Sequence, residues 1–228
     1  PVNTVPGAQA VNEDTSVSIT GSSVNDVDDD LSTTQLSVNN GALNVNLAGG
    51  ASISGGANDS GSLTLSGTQA QINAALATLS YQGNLNFTGS DTLTVLSTDS
   101  NSATDSDTVS ITVNAVNDAP VNTVPGAQAV NEDTALNITG ISVNDVDGDL
   151  ASTQLSVKDG ALNVSLSGAA TISGGANGSS TLTISGTQAD INATLASLSY
   201  QGNPNFNGSA TLTVLSTESN SATDSDTV

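Results

Sequence analysis

The sequence has no cysteine, histidine, arginine, methionine or tryptophan, and Lys158 is its only basic side chain. Without cysteine there are no disulfides and no thiolate-metal sites. Most acid-base and nucleophilic mechanisms use His, Cys, Lys or Arg, so no catalytic residues and no enzyme are expected. Against Lys158 stand 22 aspartates and glutamates, for a formal charge of −21. Such a surface has nothing to replace the counterions of phosphates, so it repels nucleic acid and anionic lipid. Aromatic residues are 2% of the chain, two Tyr and two Phe, which disfavours a sugar-stacking face. No apolar run approaches bilayer-spanning length, and the start carries no basic segment followed by an apolar one, so no membrane insertion is expected. Because the chain opens at Pro1 and stops at Val228 inside a repeated motif, it reads as a fragment of something longer.

What the sequence does contain is order of two periods. Apolar residues make up 36% of the 228, enough for a folded chain. Pro1–Thr15 recurs letter for letter as Pro120–Thr134, and the offset of 119 holds without insertion or deletion over 109 aligned positions, of which 24 differ. A repeat that long is a whole module, not a solenoid unit. Two domains are therefore expected, 1–118 and a C-terminally truncated 119–228.

Within a module the period is two. VSIT at 17–20, LSV at 36–38, LNVNL at 43–47, LTL at 63–65, TLTVL at 92–96 and VSITV at 109–113 each set Val, Leu or Ile on one face and Ser, Thr or Asn on the other. Gly, Asn and Asp separate them, and GGAN at 55–58 reads as a turn. Seven or more short strands in about a hundred residues predict an all-β fold: two tandem antiparallel β-sandwiches of the immunoglobulin-like kind. One stretch departs from this pattern. Thr68 is a plausible N-cap with Gln71 three residues on, and Ile72, Leu76 and Leu79 share a helical face, which predicts a short helix from about Gln69 to Thr78. Thr187 and Asp190 repeat the cap.

The acids are clustered, and alternating strand direction assigns the clusters to ends of a sandwich. Glu13 and Asp14 fall at the bottom, Asp26 and Asp28 in NDVDDD at the top, and Asp105 and Asp107 at the top as well. The second copy repeats them as Glu132 and Asp133, Asp145 and Asp147, Asp224 and Asp226. At the joint between copies the bottom of the first offers Glu13 and Asp14, the linker Asn117 and Asp118, and the top of the second Asp145, Asp147 and Asp224 or Asp226. At least six oxygen donors with no Lys or Arg beside them repel one another unless a cation intervenes, and Ca²⁺ is the ion that takes six to eight oxygens. For the D-x-D-G-D spacing of 145–149 the competing reading is a metal-free Asx turn. For Glu13 and Asp14 it is a solvated strand end, and for Asp107 and Asp226 protection of an edge strand. Asp59, Asp91, Asp159 and Asp190 read as surface charge, Tyr81 and Phe87 as core.

VNEDT, NDVDGDL (144–150), the long segment from Leu63 to Val95 and the closing DSDTVSITVNAVNDAP resemble the cadherin-like, immunoglobulin-like tandem repeats of giant bacterial surface proteins, including RTX adhesins. The resemblance covers both modules. It implies a secreted, cell-surface Ca²⁺-dependent extender that holds an adhesive tip away from the cell, with neighbouring repeats as its partners, a monomeric state, and any host or surface ligand bound by other domains. Animal cadherins are similar more distantly: Glu13 matches the acid of their first strand, and Asp145 with Asp147 their D-x-D. The linker VNDAP lacks the leading Asp and second Asn of the cadherin pattern, which implies fewer than three ions per joint. The alternative is a module that binds glycan, ice or a protein partner directly through Thr- and Ser-rich strand faces such as TLTVLST; a carboxylate-dependent glycosidase accessory domain is a further rival, without an acid pair flanking an evident cleft.

Overall fold

Alternating aliphatic and hydroxylated residues become strands in the computed structural model, which describes residues 1–228. Two units result, Pro1–Val116 and Asn117–Val228. The first contains β1 (Val2–Thr4), β2 (Gln9–Asn12), β3 (Ser16–Ser18), β4 (Ser23–Asn25), β5 (Leu31–Ser37), β6 (Gly41–Asn44), β7 (Ser52–Gly56), β8 (Ser62–Ser66), α1 (Gln69–Leu76), β9 (Ser80–Gly83), β10 (Gly89–Asp99) and β11 (Thr104–Asn114). A six-stranded sheet in the order β2-β11-β10-β5-β8-β7 and a three-stranded sheet β3-β9-β6 make the sandwich, with β1 paired to β4. All ladders are antiparallel except β2, which runs parallel to the end of β11, Gln9 opposite Ile111 and Asn12 opposite Asn114.

The second unit repeats the plan with β12 (Val121–Thr123), β13 (Ala135–Asn137), β14 (Ser142–Asn144), β15 (Leu150–Val157), β16 (Gly160–Asn163), β17 (Thr171–Gly175), β18 (Thr181–Ser185), α2 (Gln188–Leu195), β19 (Ser199–Gly202), β20 (Leu212–Glu218) and β21 (Thr223–Thr227). Its sheets are β17-β18-β15-β20-β21, β13-β19-β16 and the pair β12-β14. The expected all-β sandwich with one short helix per copy is therefore the fold. GGAN, in contrast, is not only a turn: Gly55 and Gly56 close β7, and the register shift between Ile53 and Gly55 is a bulge opposite β8.

Each core is aliphatic. Leu36, Leu43, Leu63, Leu65, Leu93 and Ile111 are buried in the first unit, and Leu155, Leu162, Leu182, Ile184 and Val214 in the second. Each such side chain contributes about 1.5–3 kcal/mol on leaving water. The helix adds Ile72, Ala75 and Leu76 to the same core. Its start is closed reciprocally, Gln71 N donating to Thr68 Oγ1 at 3.3 Å and Thr68 N to Gln71 Oε1 at 2.9 Å. In α2, Asp190 takes the place of Gln71: its amide donates to Thr187 Oγ1 at 3.2 Å and its carboxylate accepts from that hydroxyl at 2.9 Å. Asp190 is thus part of a helix cap rather than surface charge alone.

A buried polar chain pins β1. Ser97 Oγ donates to Asn3 Oδ1 at 2.6 Å, so the 3.0 Å bond between Ser97 and Thr34 must be donated by Thr34. Asn3 Nδ2 donates to the Asp105 carbonyl at 2.8 Å. Thr153, Ser216 and Asn122 repeat the chain with the same geometry.

Candidate metal centres

The helix that interrupts the strand pattern also positions the acids. Asn73 pairs with both backbone groups of Val24, accepting its amide at 2.8 Å and donating to its carbonyl at 2.9 Å, and Gln69 Oε1 accepts the Asp26 amide at 2.7 Å. The chain therefore leaves β4 into the Asp26–Asp30 loop along a fixed path. Asn192 and Gln188 do the same for Val143 and Asp145. The loop turns through a left-handed residue, Asp29 at φ 55° in the first unit and Gly148 at φ 74° in the second. On the other side, a register shift at Thr98/Asp99 in β10, and its repeat at Leu150/Ser152 against Glu218 in β20, re-aims the last side chain of the strand.

These two features bring three carboxylates together in each unit: Asp26, Asp30 and Asp99, and Asp145, Asp149 and Glu218. In each group one oxygen from every residue lies within 4.8 Å of the others. Oxygens on opposite sides of an ion at a Ca²⁺–O distance of about 2.4 Å are about 4.8 Å apart, so each group fits one coordination sphere.

The second group is built with one oxygen of each carboxylate held and the other bare. Asp145 Oδ1 accepts the amides of Asp147 and Gly148 at 3.0 and 3.1 Å. Asp149 Oδ2 accepts Ser219 Oγ at 3.0 Å and Asn220 Nδ2 at 3.3 Å. Glu218 Oε2 accepts Asn117 Nδ2 at 2.8 Å. Asp145 Oδ2, Asp149 Oδ1 and Glu218 Oε1 are buried with no hydrogen-bond partner. Glu218 is 2% exposed and Asp145 6%. Bare buried carboxylate oxygens are costly unless a cation faces them, and the donor set, all oxygen, suits a hard one. In the first unit Asp26 Oδ2 likewise lacks a hydrogen bond.

The residues expected from sequence as ligands divide accordingly. Asp26 and Asp145 are members of the groups. Asp28 and Asp147 are exposed, and their amides turn back onto Asp26 and Asp145. Asp147 Oδ2 accepts the Asp118 amide at 2.7 Å, and Asn117 meets Glu218 and Asn220, so both linker residues are held by loops of the second unit. Asp105 and Asp224 serve the buried polar chain: each Oδ2 accepts a backbone amide, of Asn3 at 2.6 Å and of Asn122 at 2.7 Å. Asp107 and Asp226 are half-buried on β11 and β21, opposite Val95 and Val214. Glu13 is 4% exposed and accepts the Val116 amide at 2.7 Å, whereas Glu132 is exposed. Asp14 and Asp133 each accept an amide, of Asn86 at 3.0 Å and Asn205 at 2.9 Å.

Sequence reasoning placed Asp149 in an acidic loop read as metal-binding, and Asp30 in its repeat, without singling either out as a ligand, and it did not name Asp99 or Glu218. A signal was present: position 99 against 218 is the one aligned difference in which one acid replaces another. Asp91 is also corrected. It is 4% exposed, not surface charge, and accepts the amides of Asn39, Asn40 and Thr92 together with the Tyr81 hydroxyl at 3.1 Å. Burial, reinforced by the facing Asp91 carboxylate, pushes the Tyr81 hydroxyl well above the ordinary tyrosine range. In the second unit Ala210 replaces Asp91 and Tyr200 donates instead to the Asp159 carbonyl at 2.8 Å.

Among known proteins, the family model for the Protein GAMETE EXPRESSED 2 domain matches twice, at residues 13–109 and 129–227. No curated protein matches the chain. Solved structures resembling it include the fibronectin(III)-like modules of Clostridium thermocellum CbhA, at 13% identity and TM-score 0.27, covering 99% of this chain and 91% of that one. Extracellular cadherin domains 1–5 of Protocadherin Gamma B2 align at 13% identity and TM-score 0.38, over 99% of this chain and 38% of that one. The Yersinia pseudotuberculosis adhesin InvE aligns at 14% identity and TM-score 0.29, over 100% and 57% respectively. The chain thus spans little more than half the length of the last, and less of the protocadherin. With TM-scores this low, none of the three bears on function.

Proposed function

The chain belongs to the Protein GAMETE EXPRESSED 2 domain family, and from that premise we propose that it is a calcium-stiffened structural module of a secreted, cell-surface protein, used as a spacer. The observation that carries the reading is the set of three bare buried oxygens, Asp145 Oδ2, Asp149 Oδ1 and Glu218 Oε1. Ca²⁺ accepts six to eight oxygens at variable angles, and the chain supplies only oxygen ligands; Mg²⁺ would keep most of its waters and Zn²⁺ would call for nitrogen or sulfur.

The mechanical consequence follows from who holds whom. Glu218 is at once a ligand and the acceptor for Asn117, the first residue of the second unit. An ion on Glu218 therefore orders the residue next to Val116, whose amide Glu13 accepts in the first unit. Without the ion the three carboxylates repel and this grip loosens. A parent protein of the bacterial RTX adhesin type belongs to the same proposal and is supported only by the sequence motifs.

Calorimetric titration of the intact chain with CaCl₂ tests the reading, with small-angle scattering in CaCl₂ and in EDTA. Saturable binding and a scattering profile that changes on chelation are expected. No heat up to 10 mM CaCl₂ and superimposable profiles refute it. A glycan array or ice-affinity assay on the same chain is expected to be blank.

A further inference from the structure

The 22 acids are unevenly placed, and one broad surface of each unit has none. It is the outer face of the larger sheet. In the first unit the register sets Ser106, Leu96, Gln35 and Thr64 side by side on β11, β10, β5 and β8, with Gly55 of β7 closing the row. The row from Thr104 to Ser52 on one side of it and the row from Thr108 to Ser62 on the other carry only Ser and Thr. Strand alternation turns the residues between these rows, Asp105 and Asp107 among them, to the opposite face. Every outward position is half-buried or exposed.

The second unit repeats the face. Ser225, Leu215, Gln154 and Thr183 form its central row, again between rows of Ser and Thr. Here the units differ only at Thr33, Ser52 and Ser62, whose counterparts are Ser152, Thr171 and Thr181, so a hydroxyl is kept at each.

A hydroxyl face has a property that an acidic or an apolar face lacks: each group both donates and accepts, so the surface is complementary to itself. Five strands about 4.8 Å apart and three rows about 6.8 Å apart make a patch of about 24 by 20 Å, and two such patches in contact cover about 1,000 Å² in total. That reaches the lower bound of a specific interface. Net charge selects the occupant. Copies of a chain with a formal charge of −21 repel one another, and on this face they approach without setting carboxylate against carboxylate.

We propose that the outer face of the larger sheet is a self-association surface, on which a second copy of the chain packs sheet against sheet. Leu96 or Leu215 is the apolar centre of each contact, and the glutamine beside it, Gln35 or Gln154, lies under the partner sheet. Sheets about 10 Å apart interdigitate such side chains, with strand directions within about 30° of each other. The contact uses no calcium and does not rest on the spacer reading.

Sedimentation equilibrium of the intact chain in EDTA, from 10 µM to 1 mM, tests this with calcium bridges between acids removed. Concentration-dependent association is expected, stronger in 500 mM than in 20 mM NaCl because salt screens the net repulsion. The double variant Gln35→Glu/Gln154→Glu is isosteric, can still accept from neighbouring hydroxyls, and sets like charges against each other across the contact. It should associate at least about tenfold more weakly and melt at the parental midpoint. Gln82→Glu/Gln201→Glu adds the same charge on β9 and β19 of the smaller sheets, and should change association by less than about twofold. A chain that stays monomeric at 1 mM in 500 mM NaCl, including one that instead binds the glycan array, overturns the proposal. So does association that is indifferent to the Gln35/Gln154 pair, or that the Gln82/Gln201 pair weakens equally.

Discussion

Glu218→Gln should change the sign of its effect with calcium. Three carboxylate oxygens within 4.8 Å repel by at least about 3 kcal/mol per pair at an effective dielectric of 20. Solvent at the half-buried Asp149 screens part of this. Removing the charge at Glu218 removes two of the three pairs. The amide oxygen can still accept from Asn117, while its NH₂ turns to the bare oxygens of Asp145 and Asp149. In EDTA the variant should therefore melt a few degrees above the parent. With calcium the order reverses. At a concentration a hundredfold above Kd, a site of ordinary extracellular affinity adds about 2.7 kcal/mol. For a unit of this size that is a rise of about 10 °C or more. The variant, having lost a ligand, gains only a fraction. Differential scanning calorimetry of both proteins in EDTA and in 10 mM CaCl₂ measures the crossover. A parent midpoint indifferent to calcium, or a variant that is less stable in EDTA, refutes the reasoning.

Three further outcomes test the fold around the site. Asn122→Ala removes the acceptor of Ser216 and the donor to the Asp224 carbonyl; leaving buried groups unpaired should cost about 1–3 kcal/mol in urea denaturation, with Asn3→Ala its equivalent in the first unit. Thr68→Ala should lower stability by about 1 kcal/mol through loss of the helix cap, whereas Thr68→Ser should be near neutral. The Tyr81 hydroxyl titrates above its unfolded value, so the stability it carries is full below about pH 10 and is lost as pH rises from there. Tyr200 is also raised, by burial and then by the Asp159 charge, but its hydroxyl bonds the Asp159 carbonyl and no carboxylate, so ultraviolet titration should show it ionising first and Tyr81 ionising together with unfolding; Tyr81 ionising first in folded protein would contradict it.

Much of this was legible. The period of two marks β5, β8, β10 and β11 because one face of each is buried against the core, so every second residue is constrained. The helix announced itself through Thr68, Gln71 and the Ile72–Leu76 spacing. The strands that escaped, β1, β2, β4, β7 and β9, are three to five residues long, or carry glycines at a bulge, and offer too few alternations to register. At the site the Asp26 and Asp145 loops were readable as acidic turns. Asp99 and Glu218 were not, because a single acid at a strand end has no pattern of its own; a bulge 119 residues apart in both copies gives it its direction.

By itself the sequence determined that this is a duplicated aliphatic β-fold with only oxygen ligands to offer, since composition and local periodicity act through neighbours along the chain. Tertiary structure alone decided which acids meet. Asp145 and Asp149 lie in the loop between β14 and β15 and Glu218 ends β20, and the pairing of β15 with β20 is what brings the three together. A strand takes half of its hydrogen bonds from residues far away in sequence, so its existence depends on whether those residues arrive.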